Sequence, residues 1–263
     1  MSIIFRQDEV RELAPGVWVR EAVDNCAWAD LGDGVVVIDA LEEPEMDAVI
    51  RAAIAETAAK PLKWVVNTHW HKDHIACNPA WAALGATVIA HESCAPATPG
   101  RDGNPDITFA HRYTLHGAER SVELEWLGGT HTPADTIVYF PWARVLHIAD
   151  LFGWGLFPLQ RVTPVTTARM VEVVERILTY DATVVICGHG PTLTLDHLRR
   201  WLVYFKDLTE KAEEWRAQGK DGAELKTLVP PPSDMQDWWR FVDWKHAKNL
   251  DQLVATPLQP SIR

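Results

Sequence analysis

The feature that most restricts the fold is the stretch Asn67-Thr68-His69-Trp70-His71-Lys72-Asp73-His74, set directly behind Lys63-Trp64-Val65-Val66. The latter run reads as a short buried strand. Neutral imidazole and carboxylate suit a borderline divalent cation such as zinc, and His69, His71, Asp73 and His74 crowd such groups into six positions. On a helix His69 and His71 would diverge. In a loop leaving a strand end they converge on one ion, while Asp73 and His74 turn towards a second. A solvated histidine-rich loop seldom carries this spacing straight after a buried strand. An ion takes three or four ligands, so further donors must come from elsewhere in the chain.

Upstream, 16–23 and 27–31 read as strands, Gly32-Asp33-Gly34 as a hairpin turn, and Val35-Val36-Val37-Ile38-Asp39-Ala40 as an apolar strand ending in an acid. Pro44 opens a helix to about Ala59, with Met46, Val49, Ile50 and Ala53 on one face. Downstream we expect a helix over 79–84, a strand over 86–90, and an irregular segment over 91–106 bordering a pocket. Strands then follow at 108–115, 122–127, 136–140 and 144–150, a helix at 167–180, and a strand from 183 that breaks at Gly188-His189-Gly190. This is the order of a layered α/β domain. Three of the later strands lead to a potential ligand, at His131, Asp150 and His189. Strand ends are where such domains place their sites, because the loops there stand on a rigid sheet.

After Pro191 the pattern changes to a long amphipathic helix over 195–218, a stiff linker at Val229-Pro230-Pro231-Pro232, and a last helix over 237–253. The last helix carries Trp238, Trp239, Phe241 and Trp244. We therefore divide the chain at residue 195, with 196–263 a helical extension packed on the domain or on a second subunit of a homodimer. A length of 263 residues with 47% hydrophobic and 23% charged residues suits this division. A net charge of -11 without any basic run argues against nucleic acid as a partner and leaves a small molecule as the substrate. Cys26, Cys77, Cys94 and Cys187 lie far apart, as buried thiols in a reducing compartment do. Met1 to Leu13 lacks a signal peptide and no run is long enough to span a bilayer, so the expected location is cytoplasmic, off the membrane.

Seven candidate ligands result: His69, His71 and His131 for a first metal, Asp73, His74 and His189 for a second, and Asp150 shared. Two zinc ions, each taking three or four protein groups plus water, fit that set. His-x-His-x-Asp-His, then Gly-x-His-Thr-Pro, a strand-terminal Asp and Gly-His-Gly together resemble the metallo-β-lactamase superfamily over roughly residues 15–195. The resemblance implies a four-layer αβ/βα sandwich with the metals at one edge, and residues 1–195 as its catalytic domain.

The chemistry expected is hydrolysis by a metal-bound hydroxide, since coordination lowers the pKa of water towards ~7. Asp73, besides ligation, would orient that nucleophile. Asp39 is the candidate to hydrogen-bond a ligand histidine, with an ordinary strand-end acid or helix cap as the alternative. Thr68 and Thr132 are weaker candidates for the same task. His91, His111, His116, His147, His197 and His246 are set aside as surface or core histidines. Trp28, Trp70, Trp154 and Phe157 could line an apolar pocket, with core packing as the alternative.

Zinc β-lactamases most commonly carry cysteine where this chain has Asp150, and here Leu151-Phe152-Gly153-Trp154-Gly155 follows. Asp150 instead resembles the lactonase, glyoxalase II and general hydrolase branches. The expected reaction is therefore cleavage of a small ester, lactone or thioester. β-Lactam, phosphodiester and sulfate ester hydrolysis are alternatives on the same site. A mononuclear iron persulfide dioxygenase is another, and iron or a mixed pair could replace zinc. In the glyoxalase II case Lys206, Lys211 and Arg216 could grip glutathione, though ordinary helix solvation explains them as well. A purely binding or structural descendant would be expected to have lost ligands.

Overall fold

A computed structural model describes residues 7–41, 43–97, 104–158, 162 and 164–255. The strands are β1 (Glu9–Ala14), β2 (Val17–Glu21), β3 (Cys26–Asp30), β4 (Val35–Ile38), β5 (Leu62–Asn67), β6 (Thr87–His91), β7 (Ile107–Phe109), β8 (Arg112–His116), β9 (Ser121–Trp126), β10 (Thr136–Phe140), β11 (Val145–His147) and β12 (Val184–Ile186). Helix α1 (Met46–Thr57) joins β4 to β5, α2 (Asn78–Ala83) joins β5 to β6, and a short α3 (Cys94–Ala97) follows β6. Helix α4 (Pro164–Ile177) joins β11 to β12, and α5 (Leu195–Ala217), α6 (Gly222–Leu228) and α7 (His246–Val254) complete the chain.

Strands β1 to β7 lie in sequence order in one sheet, and the second sheet runs β12-β11-β10-β9-β8. Each sheet pairs antiparallel where short turns connect its strands and parallel where a helix crosses over. Leu31 N–H bonds to Gly34 O at 2.9 Å, closing the β3–β4 hairpin, and Gly32 takes the φ of +104° that this turn needs.

Strand β4 shows why the layers form. All four of its side chains are buried. Val36 and Ile38 face the second sheet, alongside Val138, Phe140 and Ile186. Val35 and Val37 face outwards to Ile50 and Ile54 of α1 and Trp81 of α2. A strand apolar on both faces must be covered twice. The second sheet is covered likewise: Leu146 and Val185 meet Met170, Val173 and Ile177 of α4 and Trp201 and Phe205 of α5. The result is the four-layer αβ/βα sandwich.

Several local expectations are corrected. The strand expected over 108–115 is two strands in different sheets, because the chain crosses from one edge to the other at Ala110-His111. The strand expected to run to Asp150 stops at His147, and Ala149, at φ +51°, turns the chain into a 3-10 turn over Ala149–Leu151. The last helix begins at His246, after a π-helical turn over Phe241–Lys245 that Arg240 enters at φ +56°. Strand β1 and helix α6 are additions that the residues alone do not announce. Of the segment expected to border a pocket, residues 98–103 lie outside the described residues, as do 1–6 and 256–263 at the ends of the two expected regions. Residues of α5 and α7 share one core with the second sheet and α4. No helix among the described residues is long and apolar enough to cross a membrane.

Candidate metal centre

Strand β5 delivers the motif, and Asn67 ties its end down. Asn67 Nδ2 donates to His74 O at 3.1 Å, and Asn78 Nδ2 at the start of α2 donates back to Asn67 Oδ1 at 2.7 Å. His74 O also accepts from Ala40 N at 2.7 Å, so the loop is stitched to the chain leaving β4. His71, in extended backbone, and the 3-10 turn over Lys72–His74 then point their side chains to one edge of the sandwich.

There the seven candidate side chains converge in two groups that share Asp150: His69, His71, His131 and Asp150, and Asp73, His74, Asp150 and His189. Within each group the donor atoms lie within 4.8 Å of one another. His71 Nδ1 stands 3.1 Å from His69 Nε2 and 3.0 Å from His131 Nε2. Nitrogens at such distances need a proton or a metal cation between them. Zinc–nitrogen bonds of ~2.0–2.1 Å in a tetrahedron put ligand nitrogens about 3.3 Å apart. In the second group His74 Nε2 is 3.6 Å from Asp73 Oδ2 and 3.5 Å from Asp150 Oδ1, and His189 Nε2 is 3.4 Å from Asp73 Oδ2. Each group draws two donors from the loop after β5 and two from loops of the second sheet. Among the described residues, none of the other histidines joins either group.

The neighbours select the tautomers. Asp39 Oδ2 lies 2.9 Å from His74 Nδ1 and holds a proton there, so Nε2 is the nitrogen left to take a cation. That buried Nε2 and Asp150 Oδ1 have no hydrogen-bond partner among the described residues, as befits atoms reserved for a cation. Asp39 also accepts from Thr68 N at 2.8 Å and Thr68 Oγ1 at 2.9 Å. With its hydroxyl proton spent on Asp39, Thr68 Oγ1 accepts from His69 Nδ1 at 3.1 Å and leaves His69 Nε2 bare. His189 Nδ1 lies 2.8 Å from Val23 O and 3.0 Å from Asp24 Oδ1, both acceptors, so its Nε2 is the nitrogen turned to the site.

Thr132 acts differently from the expectation: its hydroxyl donates to Asp135 Oδ1 at 2.6 Å and meets no imidazole. Asp135, which residue-by-residue reading passed over, also accepts from His131 N at 2.9 Å and Thr132 N at 2.8 Å, and so shapes the His131 turn. Its place four residues after His131, in a Thr-Pro turn, was the available signal. Asp24 had none, being remote in sequence from His189.

The pocket expectation is corrected at three of four positions. Trp28 is in the core, its Nε1 donating to Thr57 Oγ1 beside α1. Trp154 and Phe157 are buried among Trp201, Tyr204, Phe205 and Trp238. Only Trp70 is half-exposed beside the motif, packed on Ala90, Cys94 and Ala134.

Charge balance follows from crowding. Burial disfavours a proton on His69, and His74 repels it further, holding its pKa well below the usual value. For His74 burial opposes the charge, but Asp150 and Asp39 outweigh it and raise the pKa well above normal. His189 is pushed up to about 10: burial works against it, while the Asp150 carboxylate and hydrogen bonds to Asp150 and Asp24 prevail. A cation entering the second group must therefore displace protons from His74 and His189, so its affinity rises with pH up to about 10. Zinc titrated into weakly buffered protein at mildly alkaline pH is expected to release about three protons, two from His74 and His189 and one from the acidified water. A release of one proton or fewer would contradict these shifts.

Gly188 leaves room for the second group. A Cβ there would sit 2.0 Å from Asp150 Oδ1 and 2.9 Å from His74 Cε1. Gly188→Ala is expected to lower cation affinity by ~10-fold or more with the far-ultraviolet spectrum unchanged. Undiminished metal content would show that the space is not needed.

The sequence profile of the Metallo-beta-lactamase superfamily matches residues 21–189, and the chain belongs to that superfamily. The chain is 26% identical over 163 residues to the 2,4-dinitroanisole O-demethylase subunit alpha of Nocardioides sp. (strain JS1661), covering 59% of this chain and 49% of that protein. It is 29% identical over 171 residues to the hydroxyacylglutathione hydrolase of Rhizobium meliloti (strain 1021), covering 64% and 61%. The matches thus span between about half and three-fifths of these relatives' lengths. A metallo-beta-lactamase from Pontibacter korlensis has the same fold, with a TM-score of 0.67 at 24% identity over 75% of this chain and 98% of that one.

Proposed function

We propose that the protein is a di-zinc hydrolase of a small ester, lactone or thioester. The observation that carries this reading is the pair of four-donor groups sharing Asp150. His69, His71 and His131 would hold one cation, Asp73, His74 and His189 the other, and Asp150 both. Bound there, zinc supplies a water acidified towards neutral pH and a Lewis acid for the electrophile's oxygen. Asp73, with its side chain 29% exposed against 1% for His74, is the acid open enough to orient an incoming water. The donor set of imidazoles and carboxylates without thiolate suits zinc and also accepts iron.

An acyl substrate is supported by the relative whose name makes it a hydrolase of hydroxyacylglutathione. A glutathione grip by Lys206 or Arg216 is disfavoured. Lys206 Nζ pairs with Glu175 at 3.1 Å, and Arg216 is spent on Leu253 O, Val162 O and Glu213. The protein is proposed to work in the cytoplasm.

The test is a substrate panel on protein of measured metal content: lactone, thioester, lactam, phosphodiester, sulfate ester and aryl methyl ether. Turnover of the acyl compounds with about two zinc per chain, lost on chelation and restored by zinc, is expected. Oxygen consumption with a persulfide and one iron, and no hydrolysis, would overturn the proposal.

A further inference from the structure

We infer that Trp238, Trp239 and Phe241 form an internal clamp that holds the loops carrying Asp150 and His189 in position, with Trp239 the positioning residue for His189. The inference rests on the two-cation reading above and concerns how this chain sustains it.

Each of the two loops has a glycine pressed by this aromatic knuckle. In the loop after Asp150, a Cβ on Gly155 would lie 2.5 Å from Phe241 Cδ2 and 3.3 Å from Trp238 Cε3. In the loop after β12, a Cβ on Gly190 would lie 2.4 Å from Trp239 Cε3, and Gly190 sits at φ +79°. Side chains thus rest directly on backbone, one residue beyond His189 and five beyond Asp150.

Polar contacts fix the same points. Gly155 O accepts from Asn249 Nδ2 at 2.7 Å and Trp201 Nε1 at 3.2 Å, and Phe157 N donates to Asn249 Oδ1 at 2.8 Å. Trp154 Nε1 donates to Pro191 O at 2.8 Å and joins one loop to the other. From behind, Lys245 Nζ stands 4.0 Å from the Trp239 ring centre, a cation–π contact made by a buried ammonium without a hydrogen-bond partner among the described residues. On its far side His189 is held by Val23 O and Asp24. The imidazole is therefore gripped between the β2–β3 loop and a backbone that Trp239 backs.

Trp238 and Phe241 are core residues, and cutting them would disturb packing at large. Trp239 is half-buried, so it can be shortened with the core left intact. The experiment is cobalt(II) titration of full-length protein, read by visible absorption and by metal count after gel filtration. Trp239→Ala is expected to weaken one of the two cations by ~10-fold or more and leave the other within about twofold, with Trp239→Phe close to wild type. Trp244→Ala, at an exposed residue, is expected to leave both unchanged.

Equal affinities in Trp239→Ala and wild type would overturn the clamp. Equal weakening of both cations would overturn it too, since that is the mark of a loosened fold. A wild-type chain taking up only one cation would overturn the two-cation reading itself and this inference with it, and would show before any variant is made.

Discussion

Asp150→Ala is expected to lower turnover by at least ~10³-fold, about 4 kcal/mol of barrier, and to leave fewer than two cations per chain. Its carboxylate reaches both groups: Oδ2 lies 3.1 Å from His189 Nε2, 3.4 Å from His131 Nε2 and 3.9 Å from His69 Nε2, and Oδ1 is 3.5 Å from His74 Nε2. Two divalent cations bring four positive charges, and within the two groups Asp73 is the only other anion. The imidazolium neighbours already hold the Asp150 carboxyl well below its usual range against the cost of burial, which shows how positive the surroundings are. Metal count and turnover should fall together. A variant that keeps two cations and turns over within tenfold of wild type would remove Asp150 from the bridging role.

The second large effect is at Asp39, which is fully buried and accepts from Thr68 N, Thr68 Oγ1 and His74 Nδ1. Asp39→Ala orphans three buried donors at ~1–3 kcal/mol each, so a loss of at least about 3 kcal/mol of stability is expected. Cation affinity should fall 10–100-fold beside it. Asp39→Asn separates the two effects. Its oxygen can still serve Thr68 N, and asparagine tolerates the φ of +63° at this position. Its NH2, however, would donate to His74 Nδ1 and drive that ring's proton onto Nε2, where a cation should bind. The Asp39→Asn protein should thus melt closer to wild type than the alanine variant and still bind metal poorly. If the asparagine variant binds metal as wild type does, the tautomer argument fails.

What could be read from the residues alone was whatever is local and repeated. The HxHxDH spacing behind a buried strand, and apolar runs leading to His131, Asp150 and His189, disclose both donor groups. Buried strands such as β4 and helices with strong periodicity such as α4 were equally legible. The rest depended on contacts between distant segments. Asp24 meets His189 only because the β2–β3 loop folds against the loop after β12. The split at Ala110-His111 reflects a crossing between sheets that no apolar pattern marks. Tryptophans look alike in sequence whether they line a pocket or fill a core, and Trp28 and Trp154 fill cores. The aromatic run near the C-terminus promised a helix, but the left-handed Arg240 and the π-helical turn after it delay that helix to His246.

Every cation in this arrangement would be shared half and half, with two ligands hanging from the seven-stranded layer and two from the five-stranded one. Neither half of the sandwich can finish a coordination shell by itself. Ion uptake and the docking of the halves are then a single equilibrium seen from two ends. Scarcity of metal would reach this protein as thermal fragility as well as idleness.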